Sequence, residues 1–240
     1  MAENKVVDDF EVLRVTGLED NDYSRWMENL PNEKQLCPLK DLVIPGSHDS
    51  GTFFLDQNME IGPDESSTIQ TLGSIFGKIA KSVVHSWSVT QSMTIYEQLL
   101  SGIRYLDLRV AYRAEDNEIH ILHGLYGWAI QRVLEEVNRF VANYPNEIVI
   151  LDFNHFYNMD TATHETLADT LLASFSEIFR APGEDGPNVT LQEMWGNEEK
   201  GHHNLSRLWR GRRLPLFLAA AFNLLSVAKH SRQEIADGVS

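Results

Sequence analysis

The sequence predicts a parallel α/β fold, and two patterns carry the prediction. Short apolar strands alternate with amphipathic helices across tight turns, the rhythm of a parallel sheet with helical crossovers. One strand candidate, 147–153 (Glu-Ile-Val-Ile-Leu-Asp-Phe), is almost continuously apolar, as strands buried on both faces are.

The elements follow in order. Residues 1–36 are acidic and weakly periodic and predict a loose lead-in, although Trp26 and Met27 are of a kind to pack on a domain. The run 39–44 (Leu-Lys-Asp-Leu-Val-Ile), closed by Pro45-Gly46, predicts a first strand ending in a turn. Residues 56–80, with Gly, Pro, Asp and Ser around a short apolar piece, predict a long loop with one irregular helix. Thr94 and Glu97 form a capping box ahead of a helix that stops near Gly102. From Gly102 to Val110 the chain alternates with period two. Tyr105, Asp107 and Arg109 then share one face, and Leu106, Leu108 and Val110 the other.

Residues 118–123 predict a third strand after the turn at 115–117. Ile130, Val133, Leu134, Val137, Phe140 and Val141 recur at helical spacing and predict a helix over 128–142. Tyr144-Pro145-Asn146 ends it ahead of the fourth strand, and Leu167, Leu171, Phe175 and Ile178 mark a further helix. Beyond Trp195 no strand alternation continues; a basic cluster (Arg207, Arg210, Arg212, Arg213) precedes one apolar stretch. Three segments result: a lead-in, 1–36; an organised domain, 37–195; and a tail, 196–240.

Composition narrows the function. The chain has 240 residues and a formal net charge of −15, which repels nucleic acid and confines any contact with an anionic membrane to a local patch. One cysteine, Cys37, excludes an internal disulfide and fits a reducing compartment. The N-terminus lacks the apolar run of a secretory signal. No stretch reaches the ~18 apolar residues of a membrane span; the longest, 214–228, is interrupted by Pro215, Asn223 and Ser226. The expectation is a cytoplasmic protein without a transmembrane segment, peripheral at membranes if it meets them. Residues 207–228 could lie on a membrane surface, but a packed helix or a disordered end is the stronger expectation.

Polar residues cluster where strands are expected to end, which in parallel barrels is where sites are built. His48 and Asp49 follow the first strand, Asp107 and Arg109 close the second, His123 ends the third, and Asp152 with Asn154 ends the fourth. Two imidazoles and a guanidinium around one mouth suit acid–base cleavage of a phosphodiester. Structural roles compete: His48 as a turn residue, and Arg109 in a salt bridge with Asp107 or Asp152. His85, His120, His155 and His164 read as structural or surface residues. His202-His203 is a weak metal signal, and Ser47 and Ser50 lack the context of a nucleophile elbow.

Five stretches together resemble the X domain of phosphatidylinositol-specific phospholipase C, above all small proteins that carry this domain without other signalling modules. They are 42–50 (Leu-Val-Ile-Pro-Gly-Ser-His-Asp-Ser), 87–91 (Trp-Ser-Val-Thr-Gln), 102–109 (Gly-Ile-Arg-Tyr-Leu-Asp-Leu-Arg), His123-Gly124, and 150–156 (Ile-Leu-Asp-Phe-Asn-His-Phe). The likeness runs from about Pro38 to Trp195.

The resemblance implies a TIM-type (β/α) barrel, truncated here in its C-terminal half. It makes His48 the base that activates the inositol 2-hydroxyl, and His123 the acid that protonates the diacylglycerol oxygen. Asp49 would orient His123; Asp107, Asp152 and Asn154 are the candidate substrate contacts, with Asp107 or Asp152 alternatively serving to hold Arg109. Arg109 stands where metal-independent bacterial members have arginine and calcium-dependent eukaryotic members a carboxylate; 152–155 also lacks the calcium-binding glutamate. No calcium, and no other cofactor, is therefore expected. The implied substrates are phosphatidylinositol lipids at a membrane surface. Family members continue with further strands, one supplying a carboxylate to the first histidine. Their absence here leaves open a weak or inactive variant serving as a lipid-binding regulator. A metal-dependent glycerophosphodiester phosphodiesterase is a further alternative.

Overall fold

In the computed structural model, which describes residues 22–175 and 188–195, a mixed five-stranded sheet organises the chain. Its strands are β1 (Gly46–Ser47), β2 (Tyr105–Arg113), β3 (Glu118–His123), β4 (Leu125–Ala129) and β5 (Ile150–Tyr157). The helices are α1 (Asn32–Gln35), α2 (Ser67–Phe76), α3 (Lys78–Ser88), α4 (Ile95–Leu100), α5 (Ile130–Asn143), α6 (Thr161–Phe175) and α7 (Leu191–Trp195). None of the described helices is long and apolar enough to cross a membrane.

β2 is the hub. Along one edge it pairs in parallel with β5, Tyr105 opposite Ile150 and Asp107 opposite Asp152. Its other edge is shared by two strands that approach each other head-on. β1 runs parallel to the start of β2, opposite Tyr105 and Leu106, and β3 runs antiparallel to its end, opposite Val110 to Arg113. The C-terminal ends of β1 and β3 therefore face each other across the row Asp107–Arg109.

The expectation of parallel strands throughout is corrected here. β2–β3 and β3–β4 are antiparallel pairs, because the short 114–117 turn and the single Gly124 link are far too short for a parallel crossover.

The period-two pattern of β2 decides its faces. Leu106, Leu108 and Val110 are fully buried, with Leu151 and Phe153 of β5, under Ile95 and Leu99 of α4, Val133, Val137 and Phe140 of α5, and Leu167 and Leu171 of α6. Burying each such side chain contributes about 1.5–3 kcal/mol, so this face anchors the domain. The opposite face carries Tyr105, Asp107 and Arg109.

The first strand differs from expectation. Leu39–Asp41 is a 3-10 turn, β1 is confined to Gly46–Ser47, and Val43 is 93% exposed. Pro38 presets the turn, and Leu39, Leu42 and Ile44 pack as a small cluster with Met27 and Leu191. The apolar spacing there reports a turn packed on one side. Two helices, α2 and α3, stand where one irregular helix was expected, and β4 was not foreseen.

Nor is the lead-in loose over 22–36. Met27 is fully buried, and the segment is tied down by a buried ion pair. Arg104 donates from Nε and Nη2 to Glu147 Oε2 at 2.8 and 2.7 Å, both side chains being 0% exposed. The same guanidinium reaches the carbonyls of Leu99, Ile103, Tyr23 and Ser24, while Glu147 accepts from the N–H groups of Met27 and Glu28. The expected tail, 196–240, with its basic cluster and His202-His203, lies outside the described residues.

Breaking this pair strands a charge in the core, which costs about 3–5 kcal/mol. Glu147→Ala is expected to lower stability by that amount in urea unfolding; a loss under about 1 kcal/mol would show that the pair is dispensable.

Candidate active site

His48 and Asp49 emerge at the C-terminal end of β1, and their loop is built from small hydroxyls. The Ser47 hydroxyl donates to Gln98 Oε1 at 2.7 Å, the Ser50 hydroxyl accepts from the Asp107 N–H at 2.9 Å, and buried Gln98 donates to the Ser50 carbonyl at 2.8 Å. These bonds fasten the loop to β2 and α4, which is why two serines there serve structure. Asp49 has φ of +46°, a left-handed conformation that aspartate tolerates better than most residues. That turn directs its carboxylate inward, where it is almost fully buried.

Three cationic or potentially cationic groups converge on this carboxylate. Arg109 Nε lies 2.7 Å from Asp49 Oδ1, His48 Nε2 3.1 Å from Oδ2, and His123 Nδ1 3.7 Å from the same Oδ2. Neither Asp49 oxygen nor Arg109 Nε makes an aligned hydrogen bond. Arg109 and Asp49 are an ion pair held by proximity, and the two imidazoles stand beside it.

The rest of the site orients the rings. His48 Nδ1 donates to Asp107 Oδ2 at 2.7 Å, and its side chain is 69% exposed. His123 Nδ1 donates to the Ser88 carbonyl at 2.8 Å. Gly124 follows at φ +67°, and a Cβ there would stand 2.4 Å from Ser88 Oγ, so only glycine lets β3 turn this close to the end of α3. Thr90 and Gln91, just past α3, donate to the His48 carbonyl. Ser88, Thr90 and Gln91 thus touch both imidazole-bearing segments.

β5 contributes through a bulge. Its register with β2 steps from Leu108–Phe153 to Arg109–His155, leaving Asn154 as the extra residue. Freed from the ladder, Asn154 donates its amide to Asp107 Oδ1 at 2.5 Å. Asp152 accepts from the Tyr105 hydroxyl. Burial, that hydrogen bond and the nearby carboxylates hold the Tyr105 hydroxyl far above its ordinary pKa, so it stays a donor. Burial pushes the Asp107 carboxyl up, but hydrogen bonds from the Asp49 N–H, Asn154 and His48 outweigh it and hold the group below its ordinary value.

All seven candidate residues therefore gather in one place, with a redistribution of partners. Arg109 sits on Asp49, and neither Asp107 nor Asp152 is its salt-bridge partner. The Ser88 carbonyl holds His123 more closely than Asp49 does. Asp107 takes the first histidine, and Asp152 with Asn154 lies within β5, which runs on to Tyr157. Ser88 and Gln98 were missed: one acts through its backbone, and the other is a buried amide on a helix, so neither side chain advertises its role. His120 is buried and structural, bonded to Gly127 O and Asp116.

Solved structures of similar shape place the fold. The phosphatidylinositol-specific phospholipase C of Staphylococcus aureus matches with a TM-score of 0.50 at 25% identity, over 71% of this chain and 49% of that one. The Listeria monocytogenes enzyme of the same name gives 0.50 at 24%, over 72% and 54%. The fold is thus phospholipase-like, with the described sheet corresponding to part of it. The family model for the X domain of phosphatidylinositol-specific phospholipase C matches residues 80–194. PI-PLC X domain-containing protein 3 of Danio rerio is 36% identical over 203 residues, 80% of this chain and 63% of that protein. Its Homo sapiens namesake is 40% identical over 172 residues, covering 71% and 53%. The chain belongs to the PI-PLC X-domain family and spans little more than half the length of these relatives.

The depressed Asp107 pKa sets a pH dependence. Its stabilisation is complete above the unfolded carboxyl value of ~3.9 and is lost as pH falls through the lower folded value. Asp107→Asn is expected to cost about 1–3 kcal/mol at pH 7, with the gap to the parent closing in acid. Denaturant unfolding at both pH values checks this, and an unchanged gap at low pH would contradict it.

Proposed function

We propose that the chain is a phosphoric diester hydrolase that cleaves phosphatidylinositol-type lipids into diacylglycerol and a cyclic inositol phosphate. The observation that carries this reading is the convergence of His48, His123 and Arg109 on the single Asp49 carboxylate, at 3.1, 3.7 and 2.7 Å. One phosphodiester, hydrogen-bonded to a ring on each side, spans such a spacing. A buried carboxylate and a buried guanidinium Nε without aligned hydrogen bonds are costly to maintain, and a ligand that engages the pair offsets that cost.

In this reading Asp107 fixes His48 through Nδ1, and the exposed ring turns Nε2 from Asp49 to the inositol 2-hydroxyl. Nε2 takes the proton as the hydroxyl oxygen attacks phosphorus. The bond from phosphorus to the glycerol oxygen breaks, and His123, held at Nδ1 by Ser88, gives that oxygen a proton from Nε2. Arg109 keeps Nε on Asp49 and presents its terminal nitrogens to the phosphoryl oxygens. Asp107 fills the part for which the resemblance implied a carboxylate from later strands. The five strands would form one side of a TIM-type barrel, with Asp152 and Asn154 bordering the inositol pocket.

The donor set does not fit calcium, which takes 6–8 oxygen ligands. His48, Asp49 and Asp107 lie near enough together to share a cation, but Asp49 already carries a guanidinium and Asp107 accepts three hydrogen bonds. The same engagement argues against a metal-dependent glycerophosphodiesterase. A lipid-binding regulator without turnover is the second reading, favoured by the contact of His48 Nε2 with Asp49.

His48→Ala and His123→Ala should each lower turnover of phosphatidylinositol vesicles by about 10²–10⁴-fold while leaving vesicle binding intact. Equal turnover by parent and both variants would refute acid–base catalysis, and absent turnover by the parent would favour the regulator. Chelation of calcium is expected to leave the rate unchanged; loss of activity that added calcium restores would overturn the metal-free reading.

A further inference from the structure

The β2–β3 hairpin carries a second cluster of titratable groups, on the face of the sheet that bears Asp107 and Arg109 but about 13 Å farther along β2. Arg113 stands opposite Glu118 and Ala111 opposite His120, so alternation puts Arg113, Glu118 and His120 on that face. The backbone fixes a proton on the histidine. The register of β3 with β4 slips between His120 and Leu122, and the carbonyl of Gly127, within the slip, accepts from His120 Nδ1 at 3.0 Å. A carbonyl can only accept, so Nδ1 carries the hydrogen and Nε2 presents its lone pair. That lone pair meets acceptors: Asp116 Oδ2 lies 3.0 Å away and Glu118 Oε2 3.8 Å. The ring is almost fully buried and packs against Tyr126, so it cannot turn aside as the exposed His48 ring can.

Something positive must stand among these three atoms, and spacing and charge choose between a proton and a metal ion. A second ring proton bridges Nε2 to Asp116 alone, since 3.8 Å is too long for a hydrogen bond to Glu118. A tetrahedral ion with bonds of about 2.0–2.1 Å separates neighbouring ligand atoms by about 3.3 Å, which falls between the two distances observed. The carboxylates of Glu60, Glu115, Asp116 and Glu118 gather here around the guanidinium of Arg113, an excess of negative charge that a dication offsets. Glu60 takes Arg113 Nε and Nη2 at 2.9 and 3.1 Å, and Arg113 Nη1 steadies Asp116 Oδ2 at 2.7 Å.

We propose that Asp116, Glu118 and His120 bind a zinc ion. Their ligand atoms lie within 4.8 Å of one another. A nitrogen ligand disfavours calcium and magnesium, which take oxygen, whereas zinc accepts one imidazole, two carboxylates and a water on the solvent side of Glu118. An imidazole whose other nitrogen donates to a backbone carbonyl is oriented as a zinc ligand needs to be. The ion fastens the 114–117 turn to β3, the strand that ends in His123. It takes no part in the phosphodiester chemistry proposed above.

The 240-residue chain, stripped of metal by a chelator and dialysed, is titrated with zinc chloride in competition with a chromogenic zinc indicator. The parent should take up one zinc ion per chain that excess magnesium or calcium does not displace, and its thermal unfolding midpoint should rise as zinc is added. Asp116→Asn and Glu118→Gln should each weaken zinc binding at least about tenfold and lose that rise. Glu118→Gln alters a half-exposed side chain and should keep the metal-free midpoint of the parent, which separates lost binding from lost folding. Two controls address the other histidine clusters: His48→Ala, and His202→Ala with His203→Ala, should bind zinc like the parent. A parent that takes up no zinc overturns the site and leaves a proton between His120 and Asp116. Binding undiminished in both carboxylate variants, or lost in either control, overturns it as well.

Discussion

The structure depends first on the buried pair of Arg104 and Glu147. Arg104 stands one residue before β2 and Glu147 three before β5, and the Arg104 carbonyl accepts from the Ile150 N–H at 2.7 Å. The pair therefore sets the register between the two central strands, and that register puts Asp107 opposite Asp152. Both charges are satisfied by several hydrogen bonds each, the condition under which a buried ion pair is tolerated at all. Because the same groups also bind the backbone of residues 23–28, the lead-in is part of the device that aligns the sheet.

From that alignment the site follows with few further choices. β1 and β3 end against each other on one edge of β2, so the histidine just past β1 and the one that ends β3 meet across Asp107–Arg109. The buried Asp49 carboxylate collects the positive groups, and its left-handed backbone lets it do so from a loop. Partners that act by main-chain atoms, Ser88 O and the Asp49 N–H, hold the second histidine and Asp107 in place.

Much of this was legible in the sequence because burial writes itself into periodicity. The alternation from Tyr105 to Val110 told the two faces of β2 apart, and the spacing of Val133, Val137 and Phe140 marked the helix that covers it. Direction was not legible. Nothing in Ile119 or Ile121 says that their strand runs antiparallel to β2; only the shortness of the 114–117 turn does. Residues 39–44 misled because Leu39, Leu42 and Ile44 pack on one side of a turn with the apolar content of a strand. α2 and α3 escaped for the opposite reason: their apolar residues face outward, so they mimic neither a core helix nor a polar loop. At the site, residue identities were readable and pairings were not. Which carboxylate takes Arg109 depends on the backbone angle at Asp49 and the register slip at Asn154.

That slip has a consequence for how the strand can vary. One additional residue resets the phase of alternation, so the stretch before Asn154 and the stretch after it answer to different surroundings. Before it the interior takes Leu151 and Phe153 while Asp152 faces the site; after it the interior takes Phe156, and His155 is left exposed. Removing Asn154 would restore plain alternation, erase the amide that steadies Asp107, and leave the interior residues untouched. A length change of one at this point is thus a way for related chains to retune the chemistry without rebuilding the core.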